Sequence, residues 1–434
     1  MNIAFAKLGK SIKFKGAFSP HGGDVEAPNL IKALANNNPN INFYLAGKSD
    51  YSRLTETEKL DIFPYGNVIN VYDNIPVKRM EKRACYEDPY IQCLTNFFKD
   101  NNIILDAVVL MMGQVGGVSV PGKTWQIKDT SLIASCIDMT ANYTSPITVW
   151  LNENRLSNHK NIPIIEIIND PRYTLSQPRD IVFTPDLALS QYNYSYTNYT
   201  IANYENQLPR IANEVKVNYA GMEKAFLVGR DYPANYSNNR TRKFTVILNE
   251  GKPSRYNLLK EWILDNDELQ DGLEIYGKWD EKYTESDDRF KGSIHIDEVQ
   301  NIMKDTRYTF IIPIKDGWVT SKYIEMIYAG VIPFFHPSYD KQRHLSIPEI
   351  LRVNSKEELQ NMIEVFENDE EMRKKFVKEL QRHLIKPEDL TGEILSTTIM
   401  SGIVGLNNAI YTKPNLSDFI KNTPPKQITL EDLY

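Results

Sequence analysis

Apolar residues along the chain fall into two series of short runs, with segments of helical spacing between the runs. In the first series, Ile3 to Ala6, Ile41 to Ala46, Ala107 to Met112, Ile162 to Ile168 and Ile181 to Thr184 read as strands, and about Val25 to Ala35 as a helix. Runs that are apolar at nearly every position suit strands buried on both faces, the habit of parallel sheets. From Tyr219 to Arg242 the pattern breaks into D-Y-P-A-N-Y-S-N-N-R-T-R, which is polar and aperiodic. A second series opens at Lys243 to Leu248 and continues with a helix at Ser254 to Leu264, a strand at Leu273 to Tyr276 and a helix at Ile296 to Lys304. Tyr308 to Ile314 is the next strand. A helix follows in which Tyr323, Ile324, Ile327 and Tyr328 recur at helical spacing; Ala329-Gly330 stops it, and Val331 to Phe335 is a further strand. Helices at about Lys356 to Phe366 and Glu370 to His383 close this series. Strands alternating with helices predict the α/β class, as two doubly wound, Rossmann-like domains. We place these at residues 1–225 and 243–400, joined by a linker at 226–242 and followed by a helix and tail over 401–434.

Composition narrows the possibilities. The chain has 434 residues, 41% hydrophobic and 24% charged, which is globular make-up and length enough for two domains. No apolar run approaches the ~18 residues of a membrane span. The opening M-N-I-A-F-A-K-L-G-K gains charge too early for a signal peptide and reads as a first strand. The expectation is a cytoplasmic protein without membrane contact. Cys85, Cys93 and Cys136 show no C-x-x-C spacing, so free thiols are expected, not a disulfide framework or a zinc site. The net charge of −6 argues against a coat of basic residues for nucleic acid. The acidic excess lies in the second half, however, and leaves the first half balanced.

Candidate chemistry gathers where strands hand over to helices. Thr320 and Ser321 suit a helix N-cap beyond the strand at Tyr308 to Ile314, Lys322 stands beside them, and Glu325 lies one turn in. A helix N-terminus at the carboxyl edge of a parallel sheet offers amides to an anion, and a carboxylate one turn away suits a sugar diol. The alternative is an ordinary amphipathic helix with a surface glutamate. Asn249-Glu-Gly-Lys-Pro-Ser-Arg255 joins another strand to a helix: Gly251 allows close approach, Ser254 is a capping residue, and Lys252 and Arg255 are placed for phosphates. The alternative there is a solvated loop with two surface cations. In the first half, His21-Gly22-Gly23-Asp24 leads into a helix, with Asp24 a cap or an acid and His21 a candidate acid or base. Asp170, after the strand at Ile162 to Ile168, is either a general base at the sheet edge or the end of an Asx-Pro turn; Arg172 suits phosphate and Tyr173 stacking. Lys13 and Lys15, with Phe14 between them, form a basic loop, and Lys78, Arg79, Lys82 and Arg83 a second cluster. No Asp-x-Asp pair stands at a strand end, so no metal is expected.

The stretch from Trp318 to Asp340, with its glutamate-bearing helix ending in A-G-V-I-P, resembles the donor-site signature of GT-B glycosyltransferases. Taken with the two α/β halves, the resemblance extends over most of residues 1–400, and within the family it is most like the bacteriophage enzymes that glycosylate hydroxymethylated DNA bases. It implies two Rossmann-like domains facing a cleft. A nucleotide-diphosphate sugar, such as a UDP-sugar, would sit on Gly22, Gly23, Lys252, Ser254, Arg255, Thr320, Ser321, Lys322 and Glu325. Asp170, Asp24 and His21 are the catalytic candidates, and Lys13, Lys15, Arg172 and Tyr173 the acceptor contacts. Double-stranded DNA is the expected acceptor, with a glycan, lipid or protein acceptor as one alternative and a non-catalytic nucleotide-sugar binder as another. The tail I-T-L-E-D-L-Y resembles the segments by which viral replication factors bind a sliding clamp, or else is a frayed terminus. One departure is plain. Many retaining members carry E-x7-E, but here Gly317 stands where the first glutamate would be, so stereochemistry does not carry over.

Overall fold

The computed structural model describes residues 1–8, 12–15, 22–46, 49–71, 97–98, 100–112, 164–167, 181–184, 193–195, 214–219, 221–233, 236–237, 239–250, 253–313, 319–341, 343 and 345–409. The chain divides into two compact units, one of residues 1–15, 30–221 and 394–434, the other of residues 16–29 and 222–393.

The first unit holds an eight-stranded sheet. Its strands are β1 (Asn2–Leu8), β2 (Asn42–Leu45), β3 (Val68–Asn70), β4 (Ala107–Met112), β5 (Ile164–Ile167), β6 (Ile181–Thr184), β7 (Asn193–Ser195) and β8 (Glu214–Tyr219). They lie in the order β3-β2-β1-β4-β5-β6-β8-β7, and all pairings are parallel except β7 with β8. β1 pairs with β2 and β4 in register, Ile3 against Phe43 and Ala107, and buries Ile3, Ala4 and Phe5 completely. The helix Glu393–Ala409 runs on past the expected boundary at residue 400, and Asn38 Nδ2 donates to Ser396 Oγ at 2.8 Å. β3 and β7 have only three residues each, too few for a period-2 pattern to register in the sequence.

In the second unit, β9 (Arg242–Ile247), β10 (Glu274–Tyr276), β11 (Phe290–Gly292), β12 (Thr306–Ile311) and β13 (Ile332–Phe335) form an all-parallel sheet ordered β11-β10-β9-β12-β13. Helices Pro253–Leu259, Ile296–Lys304 and Lys322–Tyr328 connect successive strands. Phe244, Val246, Ile275, Tyr308, Phe310 and Phe334 fill the core. Burying a side chain of this size is worth about 1.5–3 kcal/mol, and β13 at the sheet edge, Ile-Pro-Phe-Phe, is buried at every position. The Pro253–Leu259 helix widens to a π turn over Lys260–Leu264, which places Trp262 flat against Phe310 at 5.2 Å between ring centres.

The residues expected as a linker, 226–242, lie within the second unit, whose boundary falls between Gly221 and Met222. Arg240 shows why. Its guanidinium is buried and donates to the carbonyls of Met303 (3.1 Å), Thr306 (2.6 Å) and Ala329 (2.7 Å), with Tyr236 stacked 4.4 Å away. A polar sequence hides this attachment because its partners are backbone oxygens, which have no sequence signature.

Candidate functional site

The strand order of the second unit reverses between β9 and β12: the chain runs from β9 to β10 on one side and from β12 to β13 on the other. Open α/β sheets bind ligands in that crevice. Arg255, near the start of the Pro253–Leu259 helix, fills its floor. It is only 8% exposed. Its guanidinium donates to the Ile312 carbonyl beyond β12 (Nε 3.2 Å, Nη2 2.5 Å) and to the Asn249 carbonyl beyond β9 (Nη1 2.7 Å). Among the described residues no carboxylate pairs with it, and burial pushes its pKa well below the usual guanidinium range, to about 10. A buried charge with only carbonyl dipoles around it gains from an anion nearby. Sequence reasoning placed Arg255 on phosphate; the geometry gives its N–H groups to the strand ends.

The loop carrying Arg255 is tied at several points. Asn249 Oδ1 accepts from Lys278 N–H at 2.8 Å, Glu250 N–H donates to the Lys278 carbonyl at 2.9 Å, and Glu250 Oε2 accepts from Asp280 N–H at 2.8 Å. These bonds require the chain after β10 to lie against the chain after β9. Gly277, at φ +131°, permits it: a Cβ there would stand 1.8 Å from the Leu248 carbonyl oxygen. Ser254 is exposed and is the second residue of the helix, behind Pro253, so it is not a cap. Proline suits that first position, where its missing N–H costs no bond.

Across the crevice stands the Lys322–Tyr328 helix. Ser321 holds the N-cap position, but its hydroxyl makes no bond to a first-turn amide. It donates instead to Glu325 Oε1 at 2.7 Å, while Lys322 Nζ donates to Glu325 Oε2 at 2.6 Å. Glu325 is 5% exposed and so is not a surface glutamate. The Thr320 amide donates to the Tyr339 hydroxyl at 3.2 Å, and that hydroxyl donates to the Thr320 carbonyl at 2.8 Å. Burial pushes the Tyr339 hydroxyl far above the ordinary phenol range, so it stays protonated. Asp340 follows at φ +46°, fully buried, and accepts from Arg352 Nη2 at 2.6 Å. The strain of that left-handed residue is set against an ion pair and fixes the turn that presents Tyr339.

Beside the crevice, a recess of about 430 Å³ is lined by Tyr276, Lys291, Ser293, Ile294, Glu298, Asn301 and Ile302. The Tyr276 hydroxyl donates to Glu274 Oε2 at 3.0 Å, and Glu274 is held in turn by Arg242, so the ring is fixed.

Gly22 and Gly23 open the helix Gly22–Asn37, whose first residues, through Asn29, belong to the second unit, and Asp24 is its third residue, inside the helix and not at its cap. Lys13 and Lys15 are exposed, with Lys15 Nζ 3.3 Å from Glu58. Phe14 is turned inward, edge-on to Tyr51 (5.8 Å) and Phe63 (5.6 Å), and is therefore unavailable for stacking on a base. His21, Asp170, Arg172, Tyr173, Lys252, the second basic cluster and the C-terminal tail lie outside the described residues. Tyr339 and Gly277 were missed in the sequence. Each acts through a backbone group some distance along the chain, so neither carries a local motif. Among the described residues no three His, Cys, Asp or Glu side chains come together as a metal site would require.

No family model and no curated protein matches the chain by sequence. Solved structures do match in fold. T4 phage β-glucosyltransferase in complex with UDP and Mn²⁺ aligns at a TM-score of 0.53 and 13% identity, over 94% of this chain and 99% of that one. The pneumococcal O-GlcNAc transferase bound to UDP and GlcNAc aligns at 0.51 and 10%, over 95% and 99%. Anabaena HepE in complex with UDP aligns at 0.50 and 8%, over 93% and 100%. The fold of this chain is therefore that of the GT-B glycosyltransferases.

Proposed function

We propose that the protein is a glycosyltransferase that uses a nucleotide-diphosphate sugar, with UDP as the nucleotide. The observation that carries this reading is Arg255, a buried cation without a carboxylate partner among the described residues, at the point where the strand order of the second unit reverses. The donor diphosphate lies over that crevice, against Lys252, Ser254, Lys322 and the Thr320–Ser321 turn. Glu325 takes the ribose diol, and the recess at Tyr276 and Asn301 takes the base. The diphosphate is the leaving group, and cations held in place near it stabilise the charge that develops as the glycosidic bond breaks. The donor is held by the second unit, within residues 222–393. Gly22 and Gly23 approach the sugar, and Asp170, Asp24 or His21 removes the acceptor proton.

Double-stranded DNA carrying hydroxymethylated bases is the acceptor we favour, with Lys13, Lys15 and Arg172 on phosphates and Tyr173 against a base. The motif likeness and the fold shared with a DNA-modifying β-glucosyltransferase support this choice. A glycan or protein hydroxyl is the second reading, favoured by the equal likeness in fold to an O-GlcNAc transferase. Our reading assigns the neutralisation of the diphosphate to the Lys and Arg cations and the helix dipole, and transfer that persists in EDTA would support it, whereas strict Mg²⁺ or Mn²⁺ dependence would count against it. The deciding experiment incubates purified protein with UDP-sugars and hydroxymethylated DNA, then measures modified nucleosides by mass spectrometry. UDP release without nucleoside modification would discard the DNA reading, and absence of UDP release with every acceptor would discard the enzyme.

A further inference from the structure

Ser321 departs from the usual behaviour of a capping serine. A hydroxyl at an N-cap normally accepts from a first-turn amide, a bond worth about 1 kcal/mol. Here that bond is forgone, and the hydroxyl is turned to Glu325 Oε1 at 2.7 Å. A local rule broken inside a buried cluster marks a position selected for something other than helix stability. The second carboxylate oxygen, Oε2, is held by Lys322 Nζ at 2.6 Å.

The two partners of Glu325 differ in kind. Ser321 is buried, neutral and short, so it fixes the plane of the carboxylate. The Lys322 side chain is 25% exposed and ends in a freely rotating ammonium on a four-carbon stem. It can turn to a different anion without any movement of backbone. Glu325 needs a cation nearby as long as it remains buried and charged. A diphosphate arriving in the same crevice competes for that ammonium through charge-assisted hydrogen bonds.

We propose that Lys322 is a positioning residue with two alternating partners. In the empty crevice its ammonium neutralises Glu325. With a nucleoside diphosphate bound it turns to the phosphate and leaves Oε2 to accept the ribose hydroxyls. The inference rests on the reading above, in which a nucleoside diphosphate occupies the crevice. No covalent bond changes; one ammonium changes partner. The consequence is reciprocal coupling, in which phosphate and diol each strengthen the binding of the other.

Binding of four ligands to the wild-type protein tests this: UDP, 2′-deoxy-UDP, uridine and 2′-deoxyuridine, by calorimetry or ligand-observed NMR. Loss of the 2′-hydroxyl should weaken the diphosphate more than the nucleoside, the two ratios differing on the order of fivefold or more. In Lys322→Met the two ratios should become equal, with UDP weakened and uridine bound at least as well as by wild type. Equal ratios in the wild type would overturn the proposal, as would unequal ratios that persist in the variant. Weaker uridine binding by Lys322→Met would also overturn it, since Lys322 would then be only a support for Glu325. Should the variant not fold, the wild-type ratios decide alone. Failure of UDP to bind the wild type at all would defeat the proposed function itself, which keeps the two failures distinct.

Discussion

Replacing Arg255 by methionine separates what the guanidinium does for the fold from what it does for a ligand. The substitution removes the donors to the Ile312 and Asn249 carbonyls. Each buried carbonyl left without its partner costs about 1–3 kcal/mol, so about 4 kcal/mol for the pair. Against this stands the burial of an unneutralised charge, which lowers the pKa from the ordinary guanidinium range to about 10. A base with a lowered folded pKa destabilises the native state wherever it is protonated. That penalty is fully present at neutral pH and is lifted only as pH rises above about 10 toward the ordinary guanidinium range. A fall of this size corresponds to about 3 kcal/mol, which methionine does not incur. The expected net loss is therefore only about 1 kcal/mol, well below the roughly 3–5 kcal/mol for breaking a buried ion pair. Ligand binding should suffer more. At an effective dielectric constant of about 20, loss of a nearby unit charge costs a bound anion on the order of 2 kcal/mol, or about thirtyfold in Kd. Urea unfolding and UDP calorimetry on Arg255→Met give both numbers. Wild-type affinity for UDP in a folded variant would refute the assignment of Arg255 to the anion site, and a stability loss beyond about 4 kcal/mol would refute the charge-burial argument.

Three other substitutions follow from the geometry. Gly277→Ala should lose more than about 3 kcal/mol, because its Cβ cannot stand 1.8 Å from the Leu248 oxygen; an unchanged melting temperature would show that the two strand exits are not locked together. Tyr339→Phe leaves the Thr320 amide and carbonyl without a partner, so we predict a loss of about 1–3 kcal/mol in thermal unfolding together with weaker UDP binding. Normal UDP affinity in that variant would detach Thr320 from the site. Glu367→Gln serves as a control away from the crevice. Its carboxylate accepts from Arg307, Tyr308 and Arg373, so stability should fall by about 2 kcal/mol in urea unfolding while UDP affinity stays at the wild-type value.

The sequence disclosed the alternation of strands and helices, and with it the placement of Glu325 and Arg255 beside a sheet edge, because burial imposes a periodicity that side chains must follow. It did not disclose what these two residues touch. Arg255 reads as a phosphate ligand from its neighbours Gly251 and Lys252, yet its donors meet carbonyls of residues 249 and 312, one of them more than fifty positions away. Ser321 reads as a cap, yet its hydroxyl serves a carboxylate. Asp24 likewise reads as a cap but lies two residues inside its helix. Phe14 stands between two lysines in a basic loop, yet two aromatic rings distant in sequence draw it inward. In each case the deciding partner is a tertiary one. Patterning finds the element, and only the packed structure finds the bond.

The Arg240 attachment has a practical consequence for anyone who wishes to express the second half on its own. A fragment started at Lys243, where the sequence first looks ordered again, would discard the guanidinium that holds the Met303, Thr306 and Ala329 oxygens together. An added Cβ at Gly330 would stand 2.5 Å from that guanidinium, so the truncated piece would also lose the group that packs against this glycine. Starting at Met222 keeps the plug in place.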